Sequence, residues 1–366
     1  MLKIVTFGHV EPPSSRVLTT SNLAGFDRFW WDIYKPTIPE SGLSNTFCLK
    51  ERLMAIDVAQ SKSRPLIADQ SVGNSVLCPA CGVENAQPRT FQFDSGRGVT
   101  PWARCTSCDT YFMTSTYDVQ VETDHTRHMA WGNEDEGSAL NQKRRYGYVW
   151  ALSKMEELGY GGSKLLDVGC SFGGILVEAR KRGFECAGLD IVPEAVAYVQ
   201  QLGIPAQECS SLNDCTLFSE QNPADVISVL DAHIYWPDQP AELRAIHRLL
   251  RDDGLLVLRA ITKSALITAG RYVGSFSPGL SKKMIRRAIS DHRFSMPLKS
   301  LLRTVEQAGF EIVSATPRGT RDTNEMPLDT HAAHKVGTYL WHGLGISVAP
   351  ASLIFARKKL PDRNVG

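Results

Sequence analysis

The stretch LLDVGCSFGG at residues 165–174 constrains this chain more than any other. Leu165, Leu166 and Val168 form an apolar run with an acid, Asp167, near its end. Small residues follow at Gly169, Ser171, Gly173 and Gly174, and the pattern predicts a helix over 175–182. A strand, a tight turn and a helix in that order aim a helix N-terminus at a ligand. A second strand, over 185–189, delivers Asp190, which lies 21 residues after Gly169. A carboxylate there can accept two hydrogen bonds from a ribose diol, as in nucleotide-binding βαβ units. The expectation is an adenosine-type cofactor.

The turn argues against a dinucleotide. Dinucleotide turns read G-x-G-x-x-G, with glycines placed so that backbone can approach a pyrophosphate. Here the spacing is G-x-S-x-G-G, and Asp167 sits two residues before the first glycine. A carboxylate repels a pyrophosphate but favours an ammonium or a sulfonium. The stretch resembles motif I of the class I S-adenosylmethionine (SAM) methyltransferases, [D/E]-x-G-x-G-x-G, with Ser171 replacing the middle glycine. The downstream chain extends the resemblance. Residues 225–230 (DVISVL) are a mostly apolar run, the mark of a central parallel strand, and end in Asp231. A helix over 240–250, a turn at Asp252-Asp253-Gly254 and a strand over 255–259 follow. This is similar to the family's passage from strand 4 to strand 5. A helix over 298–308, a strand over 311–315 and a last strand over 352–357 complete the set. The resemblance covers about residues 140–360. It implies an α/β fold with a Rossmann-like sheet of seven strands, the last antiparallel.

The resemblance also implies roles. Asp167, Gly169, Cys170, Ser171 and Gly173 would hold the methionyl end of SAM, and Asp190 the ribose. Ile191 would lie against the adenine, and the loop with Ser210 near its amino group, although the family's usual acid is missing there. Asp231 would face the methionyl part or the acceptor. For a hydroxyl acceptor a general base helps, and histidine titrates in the right range. His233 and Tyr235, after strand 4, and His292, ahead of the next helix, are the candidate catalytic residues.

Four of the nine cysteines form two C-x-x-C knuckles, Cys78/Cys81 and Cys105/Cys108, separated by 23 residues. Two such knuckles in a reducing compartment read as a structural zinc site in which four thiolates leave no open position. Short strands around 90–94 and 100–104 would make this a ribbon-like module. The order of knuckles, helix and motif I is similar to that of small-molecule methyltransferases of sugar and secondary-metabolite pathways. In those ribbons a Gly usually stands where the second knuckle here ends in Asp109.

The expected organisation is an N-terminal region, 1–70, a zinc module, 71–125, and a methyltransferase domain, 138–366, with an insertion at 262–303. In the first region Phe26, Phe29, Trp30, Ile33 and Tyr34 fall on one helix face, suited to a lid or a dimer contact, and residues 2–7 suit a strand. Residues 60–75 read as a linker and 116–137 as an acidic loop. The insertion holds nine Lys or Arg against one acid, Asp291, with Lys282, Lys283, Arg286 and Arg287 on one helix face. That suits an anionic or carrier-linked acceptor. Overall the charge is balanced, 40 basic against 39 acidic residues, which counts against a nucleic-acid partner. No run approaches a membrane span and the first residues lack the apolar segment of a signal peptide, so a cytoplasmic location is expected. The leading reading is methyl transfer to a small molecule, oxygen ahead of nitrogen or carbon. RNA methylation and cyclisation or cleavage of SAM itself are the alternatives.

Overall fold

The computed structural model describes residues 70–71, 75–86, 88–95, 98–128, 134–289, 292–317, 339–340 and 351–359. The aromatic helix face at 26–34, the strand at 2–7 and most of the linker lie outside them. The far end of that linker is not a connector, because β1 (Gln70–Ser71) pairs antiparallel with the fourth strand.

Strands β2 (Val76–Leu77) and β3 (Glu84–Asn85) form a hairpin around the first knuckle. Strands β4 (Arg89–Ser95) and β5 (Gly98–Arg104) are antiparallel neighbours, and β6 (Tyr111–Met113) follows the second knuckle. In β4 the alternation of buried Phe91 and Phe93 with exposed Gln92 gives the sheet one apolar face.

The stretch expected to be a loop at 116–137 contains a helix, α1 (Val119–Thr126). Asp118 caps it by accepting from the Val121 amide. Hydrophobic patterning could not reveal this helix, because it buries Glu122 and Thr123 and exposes Val119 and Val121. Helix α2 (Glu134–Glu157) then leads to the main sheet.

That sheet begins with β7 (Lys164–Val168), α3 (Gly174–Arg180), β8 (Glu185–Asp190), α4 (Pro193–Gln201) and β9 (Ala206–Glu208). Strand β10 (Ala224–Leu230), α5 (Gln239–Leu249) and β11 (Leu250–Ile261) continue it. Strand β11 absorbs the expected turn as a bulge. Ala224 faces Leu250, but Val226 already faces Leu255, so residues 251–254 loop out with Asp253 at φ +62°.

The segment expected as an insertion forms a helical hairpin, α6 (Ser264–Val273) and α7 (Pro278–Ile289), followed by β12 (Phe294–Ser295). Its apolar side (Ile267, Ile285, Ala288, Ile289) packs on Phe91, Phe93, Trp102 and Tyr111 of the small sheet. The basic residues do not form one field. Lys282, Lys283 and Arg286 are exposed, whereas Arg271 stacks 4.3 Å over the Phe91 ring and Arg293 is buried. Strand β12 pairs with β6, so the five-stranded small sheet runs β1-β4-β5-β6-β12 and takes its edge from a distant part of the chain.

Helix α8 (Leu298–Gln307), β13 (Phe310–Pro317) and β14 (Ala351–Lys358) close the fold. The seven-stranded sheet runs β13-β14-β11-β10-β7-β8-β9, with β14 antiparallel to both neighbours. The expected sheet is therefore present. No helix among the described residues is long and apolar enough to cross a membrane.

Candidate active site

The strand order of the main sheet diverges at β7, where β8 lies on one side and β10 on the other. Loops leaving the carboxyl ends of such strands part and leave a crevice. A cavity of about 330 Å³ occupies it. Gly169 and Ser171 line it from the turn after β7, Asp190 and Ile191 from the end of β8, and Ser210 from the loop after β9. Asp231 and Tyr235 line it after β10, and His292 borders it from the segment ahead of β12.

The turn after β7 is tight because its backbone folds back on β8. The amides of Gly169 and Cys170 donate to the Leu189 carbonyl at 2.8 and 2.9 Å. Gly169, Ser171 and Gly173 all have positive φ, at +74°, +47° and +64°. Ser171 thus adopts the left-handed conformation that the family's middle glycine takes without strain. The Asp190 carboxylate braces the turn, accepting from Ser171 N at 2.8 Å and from Val192 N at 2.9 Å. Burial pushes its pKa up, and those backbone bonds oppose the rise.

Three residues expected at the cofactor do not line the cavity. Asp167 lies beneath the turn, where its carboxylate accepts from Ser228 Oγ at 2.6 Å. Burial pushes it up to about 7, with the charge of Asp190 adding to the rise. Cys170 turns its buried thiol toward Gly188, whose Cβ would meet that sulfur at 2.7 Å. Gly173 serves as the N-cap of α3.

The candidate bases separate as well. Tyr235 and His292 both line the cavity, with rings edge to face at 6.4 Å. His233 does not. It is 1% exposed, packed edge-on against Trp236 and Phe294. Its Nδ1 is 2.9 Å from Gln239 Oε1, while Gln239 Nε2 donates to the Ala80 carbonyl at 3.1 Å. That amide orientation makes His233 Nδ1 the donor and leaves Nε2 deprotonated. Burial lowers the ring's pKa to about 4. Position along the chain suggested His233, but its side chain faces the small sheet rather than the crevice.

Asp231 sits at φ +69° and pairs with Arg259 of β11, whose own pKa burial depresses to about 10. Sequence reading missed Arg144 of α2 and the α1 residues Glu122 and Thr126, which all border the cavity. Glu122 is in a buried ion pair with Arg293 at 2.6 Å, and Arg293 also donates to the Ser115 carbonyl. Glu242 of α5 was missed too. It fixes the Ser210 loop by accepting from Ser211 Oγ at 2.7 Å and Leu212 N at 2.8 Å.

The four knuckle sulfurs lie within 4.8 Å of one another, with Cys78 to Cys108 at 3.8 Å and Cys81 to Cys105 at 3.7 Å. Four sulfurs at about 2.3 Å from a central zinc would stand about 3.8 Å apart, so the spacing fits a tetrahedral ion. Gly82 and Asp109 close the knuckles at φ +71° and +59°. Asp109 takes this left-handed conformation as aspartate and asparagine do more readily than other side-chain-bearing residues, and it pairs with Arg104 at 2.8 Å on the surface.

Residues 110–315 match the family model described as a methyltransferase domain. The ubiquinone biosynthesis O-methyltransferase of Pseudomonas aeruginosa is 32% identical over 142 residues, covering 37% of this chain and 60% of that relative. The protein of the same description from Aeromonas salmonicida is 26% identical over 187 residues, covering 49% and 75%. Among solved structures, the Burkholderia thailandensis 1,6-didemethyltoxoflavin-N1-methyltransferase has a TM-score of 0.43 at 13% identity, covering 71% and 96%. The chain spans about 60% of the length of its Pseudomonas relatives. The family match takes in more than half of the chain, from just after the second knuckle to β13, and the chain belongs to the methyltransferase-domain family.

Proposed function

We propose that SAM lies across the carboxyl ends of β7, β8 and β10, and that its methyl goes to a hydroxyl of a small acceptor. The observation that carries this reading is the Asp190 carboxylate, which lines the cavity while two backbone amides hold it still. Each of its oxygens keeps a lone pair for a ribose hydroxyl. Ile191 and Leu212 offer apolar surface to an adenine, and Ser210 a hydroxyl to its edge. Arg144 suits the methionyl carboxylate and Asp231 the ammonium.

When bound, SAM supplies a methyl group already activated by a sulfonium. The protein's task is then to hold the acceptor oxygen in line with that methyl, at about 3–3.5 Å. Tyr235 and His292 border the cavity where such an oxygen would stand. A neutral imidazole at His292 can take the hydroxyl proton as transfer proceeds. His233 has no access to that proton and instead supports the wall. The O-methyltransferase relatives support oxygen as the acceptor atom.

At Cys78, Cys81, Cys105 and Cys108 a Zn²⁺ would have a complete shell of four thiolates, so its contribution is structural. On this reading 71–125 is a zinc module, 138–366 the methyltransferase domain, and 262–303 an insertion that covers the module.

Calorimetric titration with S-adenosylhomocysteine tests the cofactor assignment. Asp190→Ala should weaken binding by about 1.5–3 kcal/mol, the range for hydrogen bonds to a charged group; unchanged affinity would remove the ribose role. Incubation with SAM and a panel of hydroxylated aromatic acceptors should release S-adenosylhomocysteine only when an acceptor is present. Methylthioadenosine formed without acceptor would overturn methyl transfer.

A further inference from the structure

The walls that carry Tyr235 and His292 to the cavity are hydrogen-bonded to the cysteine module. In the first knuckle, the Pro79 carbonyl accepts from Gln239 N at 2.8 Å and the Ala80 carbonyl from Gln239 Nε2 at 3.1 Å. Gln239 Oε1 then receives His233 Nδ1, and His233, Ile234 and Tyr235 form a single 3-10 turn. A second link runs through the other knuckle's strand. Met113 N of β6 donates to the Arg293 carbonyl at 2.9 Å, and Arg293 N donates to the Ile234 carbonyl at 3.2 Å. Gln239, His233 and Phe294 are almost fully buried, so water does not compete for these bonds. The cofactor half is anchored differently. Its Gly169 and Asp190 are held by bonds between the turn after β7 and the end of β8.

We propose that Gln239 is a positioning residue that locks the first knuckle to the His233–Tyr235 turn, so that metal at the four cysteines sets the shape of the acceptor wall. This rests on reading the cysteine cluster as a zinc site. The module then acts as a rear wall of the active site rather than as an appendage for recruiting a partner. Loss of the ion frees the Pro79 and Ala80 carbonyls from a fixed place, and the turn they hold loses its reference. Coupling of this kind is reciprocal, so a ligand that orders the turn should in turn retain the metal.

The test is amide hydrogen exchange on the full chain, after its zinc content has been measured, with and without removal of zinc by a chelator. Exchange in peptides covering 232–237 and 292–296 should rise at least tenfold on zinc removal, while 165–192 stays within twofold. Gln239→Leu should raise exchange at 232–237 with zinc still bound, and there the further response to zinc removal should fall below twofold. A residue with only a general packing role would leave that response intact. Zinc present, but 232–237 and 292–296 unchanged on its removal, overturns the coupling and leaves the zinc site standing. Equal opening of 165–192 also overturns it, because the effect would then be global unfolding. Purified protein without metal overturns both. Should Gln239→Leu fail to fold, the wild-type comparison decides alone.

Discussion

Gly169 and Ala232 meet across the floor of the cavity, where a Cβ built on Gly169 would stand 2.6 Å from the Ala232 Cβ. The turn after β7 and the loop after β10 are therefore in van der Waals contact, and only glycine permits it. Gly169 also has φ +74°, which costs a side-chain-bearing residue roughly 1–2 kcal/mol on its own. Gly169→Ala should lower the melting temperature and weaken S-adenosylhomocysteine binding at least tenfold, since relief of the clash must move one of two cavity loops. Calorimetry and thermal unfolding of the same preparation read both. Wild-type affinity in the variant would mean that the loops separate without cost.

Two buried groups should oppose one another in the dependence of stability on pH. Asp167 is raised to about 7 from 3.8, so between those values the folded state holds the extra proton and stability falls as pH rises. His233 is lowered to about 4 from 6.5, so over that range the unfolded state holds the extra proton and stability rises with pH. Each slope is about 1.4 kcal/mol per pH unit, and in the wild type they largely cancel from pH 4 to 6.5. Removing either group should expose the other. Relative to wild type, Asp167→Asn should gain stability steadily from pH 4 to 7, and His233→Gln should lose it steadily from pH 4 to 6.5. Urea unfolding at several pH values measures this; parallel profiles for wild type and both variants would show that neither group titrates as its burial demands.

Much of β7, β8, β10 and the turn after β7 was legible in the sequence because the constraints there are local. Apolar runs mark β7, β8 and β10, and the small residues at 169, 171 and 173 mark positive φ values that the backbone does adopt. The cavity wall formed by α1 and the segment ahead of β12 was not legible, because its residues are brought together over long separations. Glu122 and Arg293 are 171 positions apart, and β12 finds β6 with no pattern of its own beyond two residues. Helix α1 hid because the group it buries is a carboxylate. His233 and Tyr235 are two residues apart on one turn, and sequence spacing cannot say which of them faces the crevice. Gln239 begins α5 just after the Asp238 cap, and nothing local signals that its amide spans from His233 to the first knuckle.

Metal content offers a direct check on the knuckles. The sulfur spacing fits one tetrahedral ion, so purified protein should carry one zinc per chain by elemental analysis. Replacing Cys78 and Cys81 together with Ser should abolish it, because two thiolates cannot close the site. Asp109→Gly should leave the stoichiometry unchanged, since φ +59° is a conformation glycine takes freely. Full zinc content in the double serine variant would mean that the ion sits elsewhere.

The buried pair of Glu122 and Arg293 ties α1 to the segment carrying His292, and its energetics should be strongly non-additive. Both side chains are under 10% exposed, and Arg293 also donates to the Ser115 carbonyl and lies 5.2 Å from the Tyr117 ring centroid. Removing one partner leaves the other's charge in a dry site, which costs about 3–5 kcal/mol. Removing both takes away the charges together, and a well-packed apolar pair can be close to neutral. Glu122→Leu alone should therefore lower the urea midpoint sharply, Arg293→Met alone should do likewise, and the double variant should be more stable than either. Additive losses in the cycle would show that the two groups contribute through separate contacts, and α1 would then be held to the cavity by something other than this pair.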